Sequence, residues 1–503
     1  MSTRNGLLLT GVTGFLGRYL LRDALAANQR VVVLVRPCQG ESVQERLGNL
    51  TSFLSDSTAY QGQQPIVIEG DVREPNLGLT DVDIDWIGRN CQKVVHSAAS
   101  LSFRETAQGD PWRTNVSGME GLLALCQRTG LSEFHYLSTA FVHGRDSGIY
   151  REDELVQPSA FHNAYEESKF LSERLLRSRE GLCSTIYRPS IIVGDSESGY
   201  TSSYTGFYRF IDFAVKLVQG GRATGRTPQR LRLPLRGTET WNLVPVDWVA
   251  RVVQRIAANP TWHGRTFHLS TPSPVTTDLI YQVGMKTLTL ADVEFSGADG
   301  IPDPNRLEEL FIESIAEYFP YLNGNPQFCN RNTAQALPDL PPPVLDEHRL
   351  RRLFRFAQND RWGHRSKPIG VPGTPSAVER YIEQEFPVRV RRSALGRTLG
   401  LNTLIGLDIR GLGGGQWTCQ WQHGDWLPPR RGLDSRAQVI YRTDSATFTQ
   451  IHTGALAPHQ AFFDQKLDIT GDLEQALKLA TLFSRFLEET QTDPQKAMVE
   501  APA

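Results

Sequence analysis

Three side chains in the first third of the chain carry groups able to move a proton and steady a negative oxygen. Tyr165 and Lys169 stand four apart in Tyr165-Glu166-Glu167-Ser168-Lys169, which places a phenol and an ammonium on one face of a helix. A neighbouring ammonium favours the phenolate, so this spacing is expected to lower the Tyr165 pKa and let it exchange a proton near neutral pH. Upstream, Phe134-His135-Tyr136-Leu137-Ser138-Thr139-Ala140 reads as a strand that ends in two hydroxyls. Thr139, with Ser138 as the adjacent second choice, can hydrogen-bond a substrate oxygen that gains charge. The bland alternative is an ordinary surface helix, and the elements that precede these residues argue against it.

The chain opens with a scaffold for such chemistry. Leu7-Leu8-Leu9-Thr10-Gly11-Val12-Thr13-Gly14-Phe15-Leu16-Gly17 joins a short apolar strand to a glycine-punctuated turn and then a helix. Gly11 suits a tight turn, Gly14 lets backbone approach a pyrophosphate, Gly17 lets the helix pack on the strand, and the helix N-terminus offers N–H groups to phosphates. A β-branched strand, Arg30 to Val35, then ends in Arg36, where an enzyme for NAD would carry an acid on the ribose. An arginine there can pair with a 2′-phosphate, so the expected cofactor is NADP(H). Further strands, Pro65 to Val72 and Lys93 to Ala99, end in small or polar residues, as at the ligand crevice of an open parallel sheet. The expected fold class is α/β, a doubly wound parallel sheet with a small substrate lobe, followed by a separate α+β domain.

With these residues in view, positions 6 to about 275 resemble an extended short-chain dehydrogenase/reductase, and more narrowly the thioester-reductase and fatty acyl reductase branch. The resemblance rests on Thr10 to Gly17, Leu34-Val35-Arg36, Gly70-Asp71-Val72, His96-Ser97-Ala98-Ala99, Thr114 to Gly118, Leu137 to Val142, the Tyr165/Lys169 pair, Tyr187 to Ile192 and Asn242 to Asp247. It implies that Thr139 supplies the catalytic hydroxyl, Tyr165 the acid/base and Lys169 the contact to the ribose. It also implies that Gly11, Thr13, Gly14, Phe15, Leu16, Gly17, Arg36, Ser97, Ala98 and Ala99 line the cofactor, with Asp71 and Val72 flanking the adenine. Asn115 would support the catalytic helix and a relay water, and Pro189 and Ser190 would pass beside the nicotinamide amide.

Composition agrees with an enzyme. At 503 residues, 40% hydrophobic and net charge −2, the chain can build two or three cores and gives no reason to expect a nucleic-acid partner. The six cysteines show no C-x-x-C and no zinc spacing, so no metal is expected and a reducing cytoplasm is. No apolar run approaches the roughly 18 residues of a membrane span, and the first strand begins too early for a signal peptide.

The expected organisation is a reductase domain over 1–322, a proline-rich basic linker over 323–385, a lipid-binding-like domain over 386–490 and a tail over 491–503. Between Thr205 and Val218 an aromatic helix is expected, either capping the substrate pocket or packing a small lobe. Arg222, Arg226, Arg230, Arg232 and Arg236 follow with no acid among them, as a candidate contact for coenzyme A phosphates or an acidic carrier protein. From Arg349 to Arg397 there are 12 Lys/Arg against four Asp/Glu, which would attract a carrier protein or an anionic membrane surface unless it is a solvated connector. Past 386, strands around Leu407 to Arg410, Gln416 to Trp421 and Ala437 to Tyr441 precede helices from Pro458 and Leu473. There Ala461 to Leu473 resembles the sterol-carrier-protein-2 domain, which implies an apolar tunnel and a lipidic substrate. The reading is an NADPH-dependent reductase of a fatty acyl thioester, on coenzyme A or a carrier protein, to aldehyde or alcohol. The alternatives are a sterol or hydroxysteroid dehydrogenase and a non-catalytic protein that binds NADP and lipid.

Overall fold

The computed structural model describes residues 4–37, 64–146, 148–223, 231–288, 316–323, 326–363, 377–392 and most of 402–484, with shorter pieces within 43–54 and 293–313. By contact, the chain divides into two compact units. The first comprises 1–207, 237–287 and 316–358, and the second comprises 208–236, 288–315 and 359–503.

The first unit is built on seven strands: β1 (Gly6–Thr10), β2 (Arg30–Val35), β3 (Ile66–Glu69), β4 (Cys91–His96), β5 (Glu133–Leu137), β6 (Cys183–Pro189) and β7 (Thr266–Leu269). Their order across the sheet is β7-β6-β5-β4-β1-β2-β3, and every pairing is parallel. The apolar runs follow from that arrangement, because a parallel sheet is covered by helices on both faces. Leu7 and Leu9 of β1 pack into one layer with α1 (Phe15–Ala26) and the helix Val246–Ala257, whereas Leu8 between them packs into the other with helices Asp81–Asn90 and Gly118–Thr129. Strand order runs outward from β1 to β3 and then restarts beside β1 with β4. That reversal opens a crevice at the C-terminal ends of β1 and β4.

In the second unit, the strands Thr403–Arg410 (β8), Gly415–Gln422 (β9), Asp425–Arg431 (β10), Val439–Asp444 (β11) and Leu467–Gly471 (β12) form a mixed sheet in the order β10-β9-β8-β11-β12. β8 pairs antiparallel with β9 and parallel with β11. β10, which the sequence reading passed over, contains Pro428 and Pro429. It is an edge strand, and its pairing with β9 skips both prolines, so the missing N–H groups cost no ladder bonds.

The helix expected from Thr205 to Val218 spans Phe207–Ala223. Its Phe213 ring lies 5.7 Å from that of Phe462, tilted by 54°, and the Lys216 ammonium lies between Asp212 at 2.8 Å and Asp468 of β12 at 2.5 Å. Among the five arginines that follow, Arg232 is not available to a phosphate: the carboxylate of Glu308 and the carbonyls of Pro302 and Asp303 hold its guanidinium. Arg226, Arg230 and the Arg222 side chain lie outside the described residues. In the basic stretch, Glu347–Asn359 is a helix with Leu350, Leu353, Phe354 and Ala357 buried. There Arg349 pairs with Asp346, Arg351 with Glu347 and Arg352 with Glu197. No described helix is long and apolar enough to cross a membrane.

Candidate active site

The turn after β1 places the phosphate-binding backbone. Gly11 has φ +79°, and a Cβ there would stand 2.5 Å from the Ala98 nitrogen, so only glycine fits. Gly14 N donates to Gly11 O at 3.0 Å and caps α1 without a side-chain bond, which leaves the first-turn N–H groups available. A Cβ on Gly17 would overlap Gly11 O at 1.9 Å, so α1 sits directly on the turn. The turn opens on a cleft of about 310 Å³ lined by Gly11, Thr13, Gly14, Arg36, Asp71 and Val72, with Ser97, Ala98 and Ala99 at the end of β4. Glycine backbone, uncapped helix donors and guanidinium groups around one cleft suit the pyrophosphate of a dinucleotide.

Neighbouring side chains hold this cleft in shape. The Thr10 hydroxyl donates to His96 Nδ1 at 2.7 Å and accepts the Ala98 N–H at 3.3 Å, tying β1 to β4 where they diverge. Burial, aided by the Lys169 charge, drives the His96 pKa down to about 3, so its ring is neutral and can accept. Asp71 is partly buried, which raises its pKa, but hydrogen bonds from Arg73 at 2.6 and 3.0 Å outweigh that and hold the carboxyl below its usual range. Arg36 is exposed on the rim. A second guanidinium joins it, because Arg46 donates to the Arg36 carbonyl at 2.6 Å and to Thr13 Oγ1 at 2.8 Å.

The candidate proton-transfer groups sit at the C-terminal end of β5 and on the helix Ala164–Arg177. Asn163 caps that helix by accepting from Glu166 N at 3.0 Å, which fixes the turn carrying Tyr165. Burial pushes the Tyr165 phenol up and a hydrogen bond with Thr139 pulls it down, leaving a pKa of about 12. The expectation that Lys169 brings this phenol toward neutrality is therefore corrected: burial dominates, and the ammonium is engaged elsewhere. Lys169 Nζ donates to Leu137 O at 2.6 Å and lies 4.3 Å from the centroid of the Tyr136 ring. Burial lowers its own pKa to about 7, against a raising influence from Glu173.

Several of the expected contacts lie elsewhere. Ser138 leaves the catalytic set, since its hydroxyl donates to Glu173 Oε2 at 2.9 Å, within a buried pairing of Glu173 with Arg188 and Arg177. Thr139 Oγ1 accepts the Phe141 N–H at 3.3 Å as the cap of the short turn Ala140–His143, an acceptance that leaves its proton to donate. Asn115 is 2% exposed and its amide is spent on protein: it donates to Ser100 O and Ser168 Oγ and accepts from Ser100 N. It supports the Tyr165 helix, as expected, but is not on the cleft wall. Pro189 ends β6 opposite Leu269, and Ser190 turns both N and Oγ to the Leu269 carbonyl. Phe15 and Leu16 direct their side chains into the core rather than the cleft.

The sequence reading also missed Tyr321. Its phenol accepts from Asn163 Nδ2 at 2.6 Å and bonds the Glu166 carboxylate, and burial leads the causes that raise its pKa. Glu166 accepts from His162 N at 3.0 Å. The ring lies 5.9 Å from Phe103, which itself stacks 6.4 Å from Tyr165. Tyr321 thus braces the first turn of the helix that carries Tyr165. Tyr321 lies 158 positions after Asn163, so no local pattern announces it. Arg46 did leave a signal, as a second arginine ten positions after Arg36 in the connection that returns from β2.

Comparison with known proteins bears on this geometry. Residues 9–253 match the family model described as male sterility protein. Residues 388–484 match the SCP-2 sterol transfer family. Among curated relatives, L-2-aminoadipate reductase of Schizosaccharomyces pombe is 29% identical over 273 residues, covering 50% of this chain and 18% of that protein. Isonitrile lipopeptide synthase of Mycobacterium tuberculosis is 27% identical over 293 residues, covering 53% of this chain and 11% of its own length. The chain therefore spans only a small part of these relatives.

Two solved structures share this fold. The terminal R domain from the myxalamid PKS-NRPS biosynthetic pathway aligns with a TM-score of 0.58 at 23% identity, over 71% of this chain and 92% of that one. A thiolation-reductase di-domain from an archaeal non-ribosomal peptide synthetase aligns at 0.57 and 22%, over 72% and 76%.

Proposed function

We propose that this chain is an NADPH-dependent reductase of an acyl thioester with an apolar chain, presented on a carrier protein or coenzyme A and reduced to the aldehyde or alcohol. The observation that carries the reading is the placement of Thr139, Tyr165 and Lys169 at the C-terminal end of the sheet that also forms the dinucleotide cleft. Folding alone asks for no such set. A fully buried lysine with no carboxylate bonded to it raises the energy of the folded state. The male sterility family match and the reductase-domain relatives support the thioester class, and the SCP-2 match supports an apolar chain.

Thr13, the glycine turn and the guanidinium groups of Arg36 and Arg46 would hold the cofactor, the two arginines taking the 2′-phosphate. NADPH, when bound, supplies hydride to the thioester carbonyl carbon. As charge moves onto the carbonyl oxygen, the Thr139 hydroxyl and the Tyr165 phenol donate hydrogen bonds to it. With its pKa near 12, Tyr165 is protonated at neutral pH and ready to act as the acid. Its proton neutralises the oxyanion to a hemithioacetal, whose collapse releases the thiol and the aldehyde. Lys169 Nζ, held by the Leu137 carbonyl, would contact the nicotinamide ribose.

The test is NADPH consumption by the purified chain with long-chain acyl thioesters on coenzyme A and on carrier protein, with fatty aldehydes and ketosteroids alongside. Thioester-dependent oxidation with stoichiometric thiol release is expected. Oxidation with ketosteroids alone would replace the reading by a sterol dehydrogenase.

A further inference from the structure

At the opposite end of β5 from Thr139, two histidines and a glutamate converge. Glu133 and His135 stand two apart on the strand and so share a face. His263, from the turn before β7, completes the group, and the donor atoms of all three lie within 4.8 Å of one another. Glu133 Oε1 is 2.8 Å from His135 Nε2 and 3.6 Å from His263 Nδ1. The His135 side chain is fully buried, and that of His263 is 8% exposed.

The far nitrogens decide what this cluster can do. His263 Nε2 donates to the Ile256 carbonyl at 3.1 Å, so in the neutral ring the lone pair sits on Nδ1, the nitrogen facing the Glu133 carboxylate. A cation placed between that nitrogen and the carboxylate oxygen, 3.6 Å apart, would be held by both. His135 Nδ1 is likewise engaged, by the Tyr187 hydroxyl at 2.9 Å. Imidazoles whose outer nitrogens are fixed by a carbonyl and a hydroxyl, with their inner nitrogens converging on a carboxylate, have the outer-shell arrangement of metal-binding histidines. We propose that Glu133, His135 and His263 form a binding site for a divalent transition ion of the zinc class, remote from the dinucleotide cleft.

Two nitrogens and one carboxylate oxygen suit Zn²⁺, with a fourth position left for water. On binding, His135 shifts tautomer: Nε2 gives its lone pair to the ion, and Nδ1 gains the proton and donates to the Tyr187 oxygen. Lys93 sets the strength of the site. Its ammonium lies 3.3 Å from Glu133 Oε1 and 2.6 Å from the Ala257 carbonyl, so it neutralises the carboxylate when no metal is present. An incoming ion takes Glu133 from Lys93 and then faces a neighbouring positive charge. The lysine therefore weakens binding. Filled, the site would link β5 to the turn 260–265 and would stiffen the end of the sheet away from the cleft.

The test is titration of chelator-stripped full-length chain with Co²⁺, read by its visible d–d bands, and displacement by Zn²⁺. The expected result is about one ion per chain in a four-coordinate spectrum. Tyr187→Phe, which removes one hydroxyl and no carbon, should weaken binding by about 10-fold or more, as should His263→Ala. Lys93→Met should tighten it by at least about 10-fold, through removal of like-charge repulsion. Absence of a saturable band would overturn the proposal. So would binding unchanged by Tyr187→Phe and Lys93→Met, variants that keep the triad even where His263→Ala fails to fold.

Discussion

Replacing Lys169 by Met should stabilise the reductase unit while abolishing its activity. Lys169 is 2% exposed, and burial lowers its pKa from 10.5 to about 7. A shift of that size is worth about 5 kcal/mol at roughly 1.36 kcal/mol per unit. Because the folded pKa lies below the unfolded one, the penalty is full below pH 7 and vanishes as pH rises past the unfolded value. At pH 7 about 4 kcal/mol of it remains. Methionine removes the charge at similar length but leaves the Leu137 carbonyl without its donor, which costs about 1–3 kcal/mol. The net gain at pH 7 is about 2 kcal/mol. By pH 9 the wild-type penalty has itself fallen by about 2 kcal/mol, so the advantage of the variant closes. Hydrogen exchange of the buried amides of β5 and β6 reads the opening free energy of this unit by itself. A variant no more stable than wild type at pH 7, or one whose advantage persists undiminished at pH 9, would refute the argument that burial governs this lysine.

Tyr165→Phe should lower kcat by about 10²–10⁴-fold with NADPH affinity unchanged, measured by steady-state kinetics and fluorescence titration. Arg46→Ala, which removes a charge-assisted contact, should weaken NADPH by about 10–100-fold and leave NADH alone; equal losses for both would place the 2′-phosphate elsewhere. Tyr321→Phe keeps the ring and deletes the hydroxyl between Asn163 and Glu166. A fall of about 10-fold in kcat at constant KM is expected, and a change in KM alone would assign Tyr321 to substrate binding instead of bracing.

Much of the fold was readable because its signals are local. The apolar runs of β1 and β2 announce strands buried on both faces, and Gly11 and Gly17 stand where a side chain would collide with Ala98 N and Gly11 O. Features settled by distant partners were not readable. Ser138 and Thr139 are adjacent hydroxyls, and only Glu173, reaching over from the next helix, takes Ser138 out of the site. Arg232 reads as a free cation in sequence because its partner Glu308 lies 76 residues along the chain, and the Tyr165 pKa depends on a burial that no spacing rule contains. β10 was missed for another reason: Pro428 and Pro429 argue against a strand unless the strand is known to lie at an edge.

The division of the chain into units has a consequence for its synthesis. The path crosses from one unit to the other after residues 207, 236, 287, 315 and 358. A ribosome delivers residues in order, so the first unit lacks part of itself until 358 has emerged, and the second until the closing sheet is made. The helix Phe207–Ala223 is translated long before Phe462 and Asp468, which cover Phe213 and Lys216. For that interval an apolar helix with a lysine destined for burial waits in the nascent chain, exposed to chaperones and to neighbouring polysomes. A stop codon between 236 and 462 would strand it permanently, so truncations that end in that interval should yield aggregates unless the helix is resurfaced.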